Sequence, residues 1–162
     1  MMKKLLLVLL SLVLALSPEL AFASKGGRVI SYATRTCEAI DREQVEALFD
    51  RWNETLKTGD AKRVAANYAH DAVLLPTLSN QARLTDRERI DYFEGFLKKG
   101  PVGHIDTRTI RLGCNKAIDT GTYTFTYKDG THTAARYTFT YAWNGKEWLI
   151  TSHHSSALPE TM

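Results

Sequence analysis

Residues 117–157 read AIDTGTYTFTYKDGTHTAARYTFTYAWNGKEWLITSHHSSA, and this stretch decides the fold. Tyr, Phe, Thr, Ile and Trp dominate it, side chains that suit a pleated surface, and they alternate at period 2. Asp129-Gly130 and Asn144-Gly145 are dipeptides that supply the positive φ angles of tight hairpin turns. Strands over 117–128, 131–143 and 146–157 are therefore expected to form an antiparallel meander, preceded by a fourth strand over 104–113.

Upstream the period changes from 2 to 3.6. Val45, Leu48, Phe49, Trp52 and Leu56 share one face of a helix over 41–58, which opens on the capping-box pair Asp41 and Gln44 and closes at Gly59. Asp60 caps a second, short helix over 61–68, and Ala72-Val73-Leu74-Leu75 before Pro76 reads as a short strand. Thr85 and Glu88 form another capping box, opening a third helix in which Ile90, Phe93 and Leu97 share a face until Gly100-Pro101 stops it. Three N-terminal helices packed on a strongly curved antiparallel sheet make an α+β half-cone, and helices closing over the wide end of such a sheet leave a concave pocket.

The N-terminus has a different character. Met1-Met2-Lys3-Lys4, an apolar run from Leu5 to Leu16 and the small-residue triplet Ala21-Phe22-Ala23 read as a secretory signal peptide over 1–23, with cleavage expected between Ala23 and Ser24. The apolar run is too short to span a bilayer, so no stable membrane anchor remains after cleavage. An extension over 24–36 then leads into one domain over 37–160, with a periplasmic or secreted location implied. The formal net charge is only +3 and the basic residues are interspersed with acids, which sets nucleic acid aside. Cys37 and Cys114 are the chain's two cysteines, and export makes a disulfide between them the default; a catalytic thiol lacks the Cys-x-x-Cys spacing and basic neighbour it needs.

Two-residue turns would pair Tyr123 with Arg136, Arg136 with His153, Phe139 with Ile150 and Tyr141 with Trp148. One face would then carry Tyr123, Arg136 and His153, and the other Tyr137, Phe139, Tyr141, Trp148, Ile150 and His154 as a broad apolar surface suited to an interface between subunits. An arginine inside a sheet needs an anion: a carboxylate ligand, or a structural partner among Asp71, Asp91 and Glu94. His153 and His154 are adjacent on a strand and point to opposite faces, so they cannot chelate one ion; His70, His104 and His132 are scattered, and no metal site or cofactor is expected. General-base work by His153 or Asp71 is the catalytic possibility, although Asp71 also fits a plain turn role.

The order helix, helix, strand, helix, meander resembles the NTF2-like (SnoaL-like, cystatin-like) superfamily. Within it, Leu56-Lys57-Thr58-Gly59-Asp60, Tyr92-Phe93-Glu94 and the terminal Gly145-Lys146-Glu147-Trp148-Leu149-Ile150 leading to His153-His154-Ser155-Ser156 are similar to the association (hub) domain of calcium/calmodulin-dependent protein kinase II and its stand-alone bacterial relatives. The resemblance implies assembly through the outer sheet face into dimers or rings of dimers. It also implies a pocket for small carboxylates, with Arg136 and Arg89 near basic pocket positions and Tyr123 where the hub has a further arginine. Arg136, Arg89, Tyr92, Tyr123 and His153 are thus the candidate ligand-binding residues. No kinase region is present, so kinase activity does not transfer.

Two functions fit these readings. One is an exported homo-oligomeric binding module with a pocket for a small anionic ligand. The other is a small enzyme of the isomerase, cyclase or hydrolase type, or a relative of biosynthetic proteins labelled oxidoreductases, with a pocket His or Asp as base.

Overall fold

The computed structural model describes residues 30, 36–77 and 79–159. The expected leader, its cleavage point before Ser24 and most of the 24–36 extension lie outside them. Helix α1 (Arg42–Lys57) opens on the Asp41/Gln44 capping box and buries Val45, Leu48, Phe49, Trp52 and Leu56. Gly59 follows at φ +68°, and Asp60 caps α2 (Ala61–Ala65). That helix ends three residues earlier than expected. The Asn67 amide turns back to donate to the carbonyls of Arg63 and Val64, satisfying the helix end, so β1 (Tyr68–Leu75) begins at once. Helix α3 (Asp86–Phe96) starts at the Thr85/Glu88 capping box and runs into a 3₁₀ turn, Leu97–Lys99.

The remaining chain is β2 (Val102–Gly113), β3 (Lys116–Thr126), β4 (His132–Trp143) and β5 (Trp148–Ala157). The sheet order is β1-β5-β4-β3-β2. The meander is antiparallel as expected, but β1 adds to β5 in parallel, so the sheet is mixed at that edge.

Both hairpins differ from the expected turns centred on Asp129-Gly130 and Asn144-Gly145, and the faces change with them. Thr126 pairs with His132, Tyr127 N–H donates to Thr131 O (2.9 Å) and Gly130 sits at φ +81°, a three-residue loop over Lys128, Asp129 and Gly130. Tyr123 therefore pairs with Ala135, and Arg136 with Thr122. The second turn spans Asn144 to Glu147 and pairs Trp143 with Trp148; a bulge then places Tyr141 opposite Ile150 but Thr140 opposite Ser152. A slip of one residue sends a side chain to the opposite face. Tyr123, Tyr137, Phe139, Tyr141, Ile150, His153 and Ser155 consequently lie on the buried face, while Arg136 and His154 are exposed on the other.

This corrects the apolar-interface reading. Tyr137, Phe139, Tyr141 and Ile150 are each at most 2% exposed and form the core of a single chain; Phe139 packs edge-on against Trp52 (5.5 Å between ring centroids) and Phe49 (6.0 Å) of α1. Tyr137 donates its hydroxyl to buried Asp119 (2.9 Å), which faces Arg108 (Nε to Oδ2 3.1 Å). Burial pushes the Asp119 carboxyl up against the opposing pull of Tyr137 and Arg108. Trp148 is half-buried, and only His154 of that set is exposed.

Cys37 and Cys114 form a disulfide with their Cα atoms 5.1 Å apart. Beside it, Asn115 at φ +56° accepts from Glu38 N–H (2.6 Å) and donates to Thr36 O (2.8 Å), strapping the segment before α1 to the β2–β3 turn.

Candidate functional site

Between the concave sheet face, α1 and α3 lies a pocket of about 430 Å³. Its walls are aromatic and aliphatic: Trp52 from α1, Leu74 from β1, Phe93 and Phe96 from α3, and Phe125 from β3. Its floor is polar, made by Tyr123, His153, Ser155 and Thr77. Arg83, Asp91, Tyr92, Lys99 and Tyr127 stand toward the mouth.

The floor is one hydrogen-bond chain whose direction is set where Tyr123 meets Ser155. Trp52 Nε1–H can only donate, and it donates to the Tyr68 hydroxyl (3.1 Å). The Tyr123 hydroxyl spends its hydrogen on Ser155 Oγ and so can only accept from His153 Nε2–H; the neutral imidazole then takes the Tyr68 hydrogen at Nδ1 (2.9 Å). Nε2–H faces the Tyr123 hydroxyl (3.4 Å), and Tyr123 donates to Ser155 Oγ (2.6 Å). Ser155 and Thr77 are hydrogen-bonded to each other. These two hydroxyls carry two hydrogens and spend one on their mutual bond, so one O–H is left to donate into the cavity they line.

Burial enforces the same protonation state. His153 is 4% exposed, stacked on Phe139 (4.0 Å) and edge-on to Trp52 (5.4 Å), and its pKa falls from 6.5 to about 3, chiefly because burial disfavours the cation and secondarily through His154. Burial likewise pushes the Tyr123 and Tyr68 phenols up, and Tyr92 to about 12, so all three stay protonated donors.

The structure thus brings Tyr92, Tyr123 and His153 to one cavity and leaves the other candidates outside it. Arg136 is exposed on the outer sheet face, where it donates to Ala157 O (3.1 Å), because the three-residue turn reverses its side. Arg89 is fully buried beneath α3, donating to the carbonyls of Ala72 (2.7 Å), His70 (2.8 Å) and Ala69 (3.1 Å) and pairing with Asp86. Those bonds spend it on fastening α3 to β1. Asp71 lies on β1 and is absent from the pocket lining. No cluster of three or more His, Cys, Asp or Glu able to hold a metal occurs among the described residues.

Sequence reasoning missed Tyr68, Thr77, Ser155, Arg83 and Lys99. Ser155 had a signal, since it stands two residues beyond His153 and shares its face. Tyr68 was hidden by assignment to a helix, and Arg83 and Thr77 come from the irregular connection between β1 and α3.

The fold has relatives. The profile of the calcium/calmodulin dependent protein kinase II association domain matches residues 41–159. No functionally curated protein matches the sequence. Among solved structures, a Xanthomonas campestris protein described as such an association domain is 45% identical, with TM-score 0.72 over 82% of this chain and 100% of its own. An iota-carbonic anhydrase from a cyanobacterium, complexed with bicarbonate, is 20% identical, with TM-score 0.69 over 81% of this chain and 100% of its own. An NTF2-like protein with a cystatin-like fold from Novosphingobium aromaticivorans is 15% identical, with TM-score 0.62 over 75% of this chain and 84% of its own. Helices packed on a curved, open five-stranded sheet are the NTF2-like, cystatin-like fold, and with a profile match over most of its length this chain belongs to the calcium/calmodulin dependent protein kinase II association domain family.

Proposed function

We propose that this protein is an exported, self-associating member of the family whose cone pocket binds a small anion of the carboxylate class. The observation that carries the reading is the polarity of the floor chain, which begins on an indole N–H and ends on a hydroxyl hydrogen offered to the cavity. Successive bonds in such a chain polarise one another, and a donor in an apolar cavity selects for an acceptor, most strongly a charged one. Family membership supports self-association. The outer sheet face, where Arg136 and His154 are exposed beside Thr120, Thr138 and Ser156, is the surface we assign to a second copy. The Cys37–Cys114 disulfide supports an oxidising compartment.

The test is titration of ¹⁵N-histidine-labelled protein with formate and with bicarbonate. We expect His153 to report saturable binding of one or both, and a Ser155→Ala, Thr77→Val double variant to weaken it at least tenfold. No saturable change, or binding indifferent to both hydroxyls, would refute the pocket assignment.

A second reading makes the pocket catalytic. The cyanobacterial iota-carbonic anhydrase of the same fold holds bicarbonate, and an apolar cone above a hydroxyl floor suits carbon dioxide on one side of a reversible hydration and bicarbonate on the other. His153 then orients Tyr123 and Ser155 instead of abstracting a proton, since both its nitrogens are engaged and its pKa is far below neutral. Stopped-flow hydration of carbon dioxide decides it: turnover above buffer that falls in Ser155→Ala makes the protein an enzyme, and none leaves a binding module.

A further inference from the structure

We infer that the pocket has a second anion-recognition point at Arg83, so that its best-fitting ligand is a short acid with a carboxylate at each end. This rests on the reading of the hydroxyl floor as the first anion site.

Arg83 is held on both its backbone and its side chain. Its main chain bridges Leu74 of β1 through two hydrogen bonds, Arg83 N to Leu74 O (2.8 Å) and Leu74 N to Arg83 O (3.0 Å), which pins an otherwise irregular connection to the pocket wall. Its guanidinium carbon lies 5.7 Å from the centre of the Tyr92 ring, within cation–π range, and Nη1 donates to Gln81 Oε1 (3.1 Å). That bond uses one of the guanidinium's five N–H groups, and Nε–H, which is buried, has no acceptor among the described residues. A buried donor without an acceptor is costly, and here it belongs to a residue lining the cavity. A carboxylate in the cavity can take the uncommitted Nη hydrogens of that residue, with charge as well as lone pairs.

The other charged groups at the mouth are Lys99, whose ammonium stands 5.4 Å from the centre of the Tyr127 ring, and exposed Asp91. One cation and one anion on flexible exposed stems offset each other, whereas Arg83 is fixed and directed. A volume of about 430 Å³ also exceeds what a formate-sized ion fills, and its aromatic walls suit a methylene spacer.

Isothermal titration of the intact protein with malonate, succinate, glutarate and adipate, each against the monocarboxylate of equal carbon number, tests this. We expect at least one diacid to bind tenfold or more tightly than its monoacid. Arg83→Gln should erase that gap and leave monoacid binding unchanged, Arg83→Lys should restore little of it, and Lys99→Gln should retain it. Ser155→Ala should weaken both classes. Equal binding of diacids and monoacids, or a gap that survives Arg83→Gln, overturns the second site and leaves the floor intact; binding of neither class overturns both.

Discussion

At the scale of single residues, His153 holds the floor together and ties it to pH. Its folded pKa lies below the value of 6.5 it has when unfolded, so the unfolded chain takes up a proton first as pH falls. Stability is therefore full above about pH 6.5 and is lost progressively toward pH 3, by about 3 kcal/mol at pH 4. Urea unfolding at neutral pH and at pH 4 should show that loss in the native protein and a much smaller one in His153→Gln; equal slopes would remove His153 as the cause. Gly121 makes the opposite kind of demand, for space. A Cβ there would sit 1.9 Å from Thr107 O, pushed inward by the β2 bulge between Ile105 and Thr107. Gly121→Ala should cost about 1–3 kcal/mol or more, read as a drop in thermal midpoint.

At the scale of elements, Arg89 and the hairpins show what a sequence does and does not announce. Arg89 gives its Nη hydrogens to three β1 carbonyls and Asp86, so Arg89→Met should destabilise the fold by about 3–5 kcal/mol through orphaned carbonyls and an unpaired Asp86, while leaving ligand affinity per folded molecule unchanged. Equilibrium unfolding beside a binding titration separates the two. The helices were legible because Asp41/Gln44 and Thr85/Glu88 declare their starts and the 3.6 period declares their faces. The strands were legible as strands for the same reason at period 2. Their faces were not, because an Asp-Gly dipeptide serves a two-residue turn and the αL end of a three-residue turn equally well, and the bulge at Thr151 has no local mark. One residue of slip moved Arg136 out of the pocket and Tyr137, Phe139 and Tyr141 into the core. Tyr123 and His153 nevertheless share a face in both registers, so part of the site could be read early.

At the scale of the whole molecule, the corrected faces reassign what holds one chain together and what could join two. Phe139→Ala should cost about 3–5 kcal/mol of monomer stability, because its ring sits among Phe49, Trp52 and His153. A charge reversal on the outer face, Arg136→Glu with His154→Glu, should instead shift the mass seen by native mass spectrometry toward the single chain while circular dichroism stays unchanged. A smaller assembly from Phe139→Ala at full fold content would contradict this division. Reduction of the Cys37–Cys114 bridge acts on both scales, removing as much as roughly 4 kcal/mol by the chain-entropy argument, and thermal melts with and without reductant measure it.

The strand order β1-β5-β4 carries a consequence for the order in which the molecule comes into being. The strand latest in sequence, Trp148–Ala157, fills the gap between the first and the fourth and supplies His153 and Ser155 to the pocket floor. A nascent chain emerging from its N-terminus leaves the facing edges of β1 and β4 unpaired and has no pocket until those ten residues arrive, so folding waits on the synthesis of β5. A chain cut before Trp148 should accordingly yield an aggregating polypeptide, not a smaller domain, and under the proposed export a molecule that cannot fold early stays threadable for translocation.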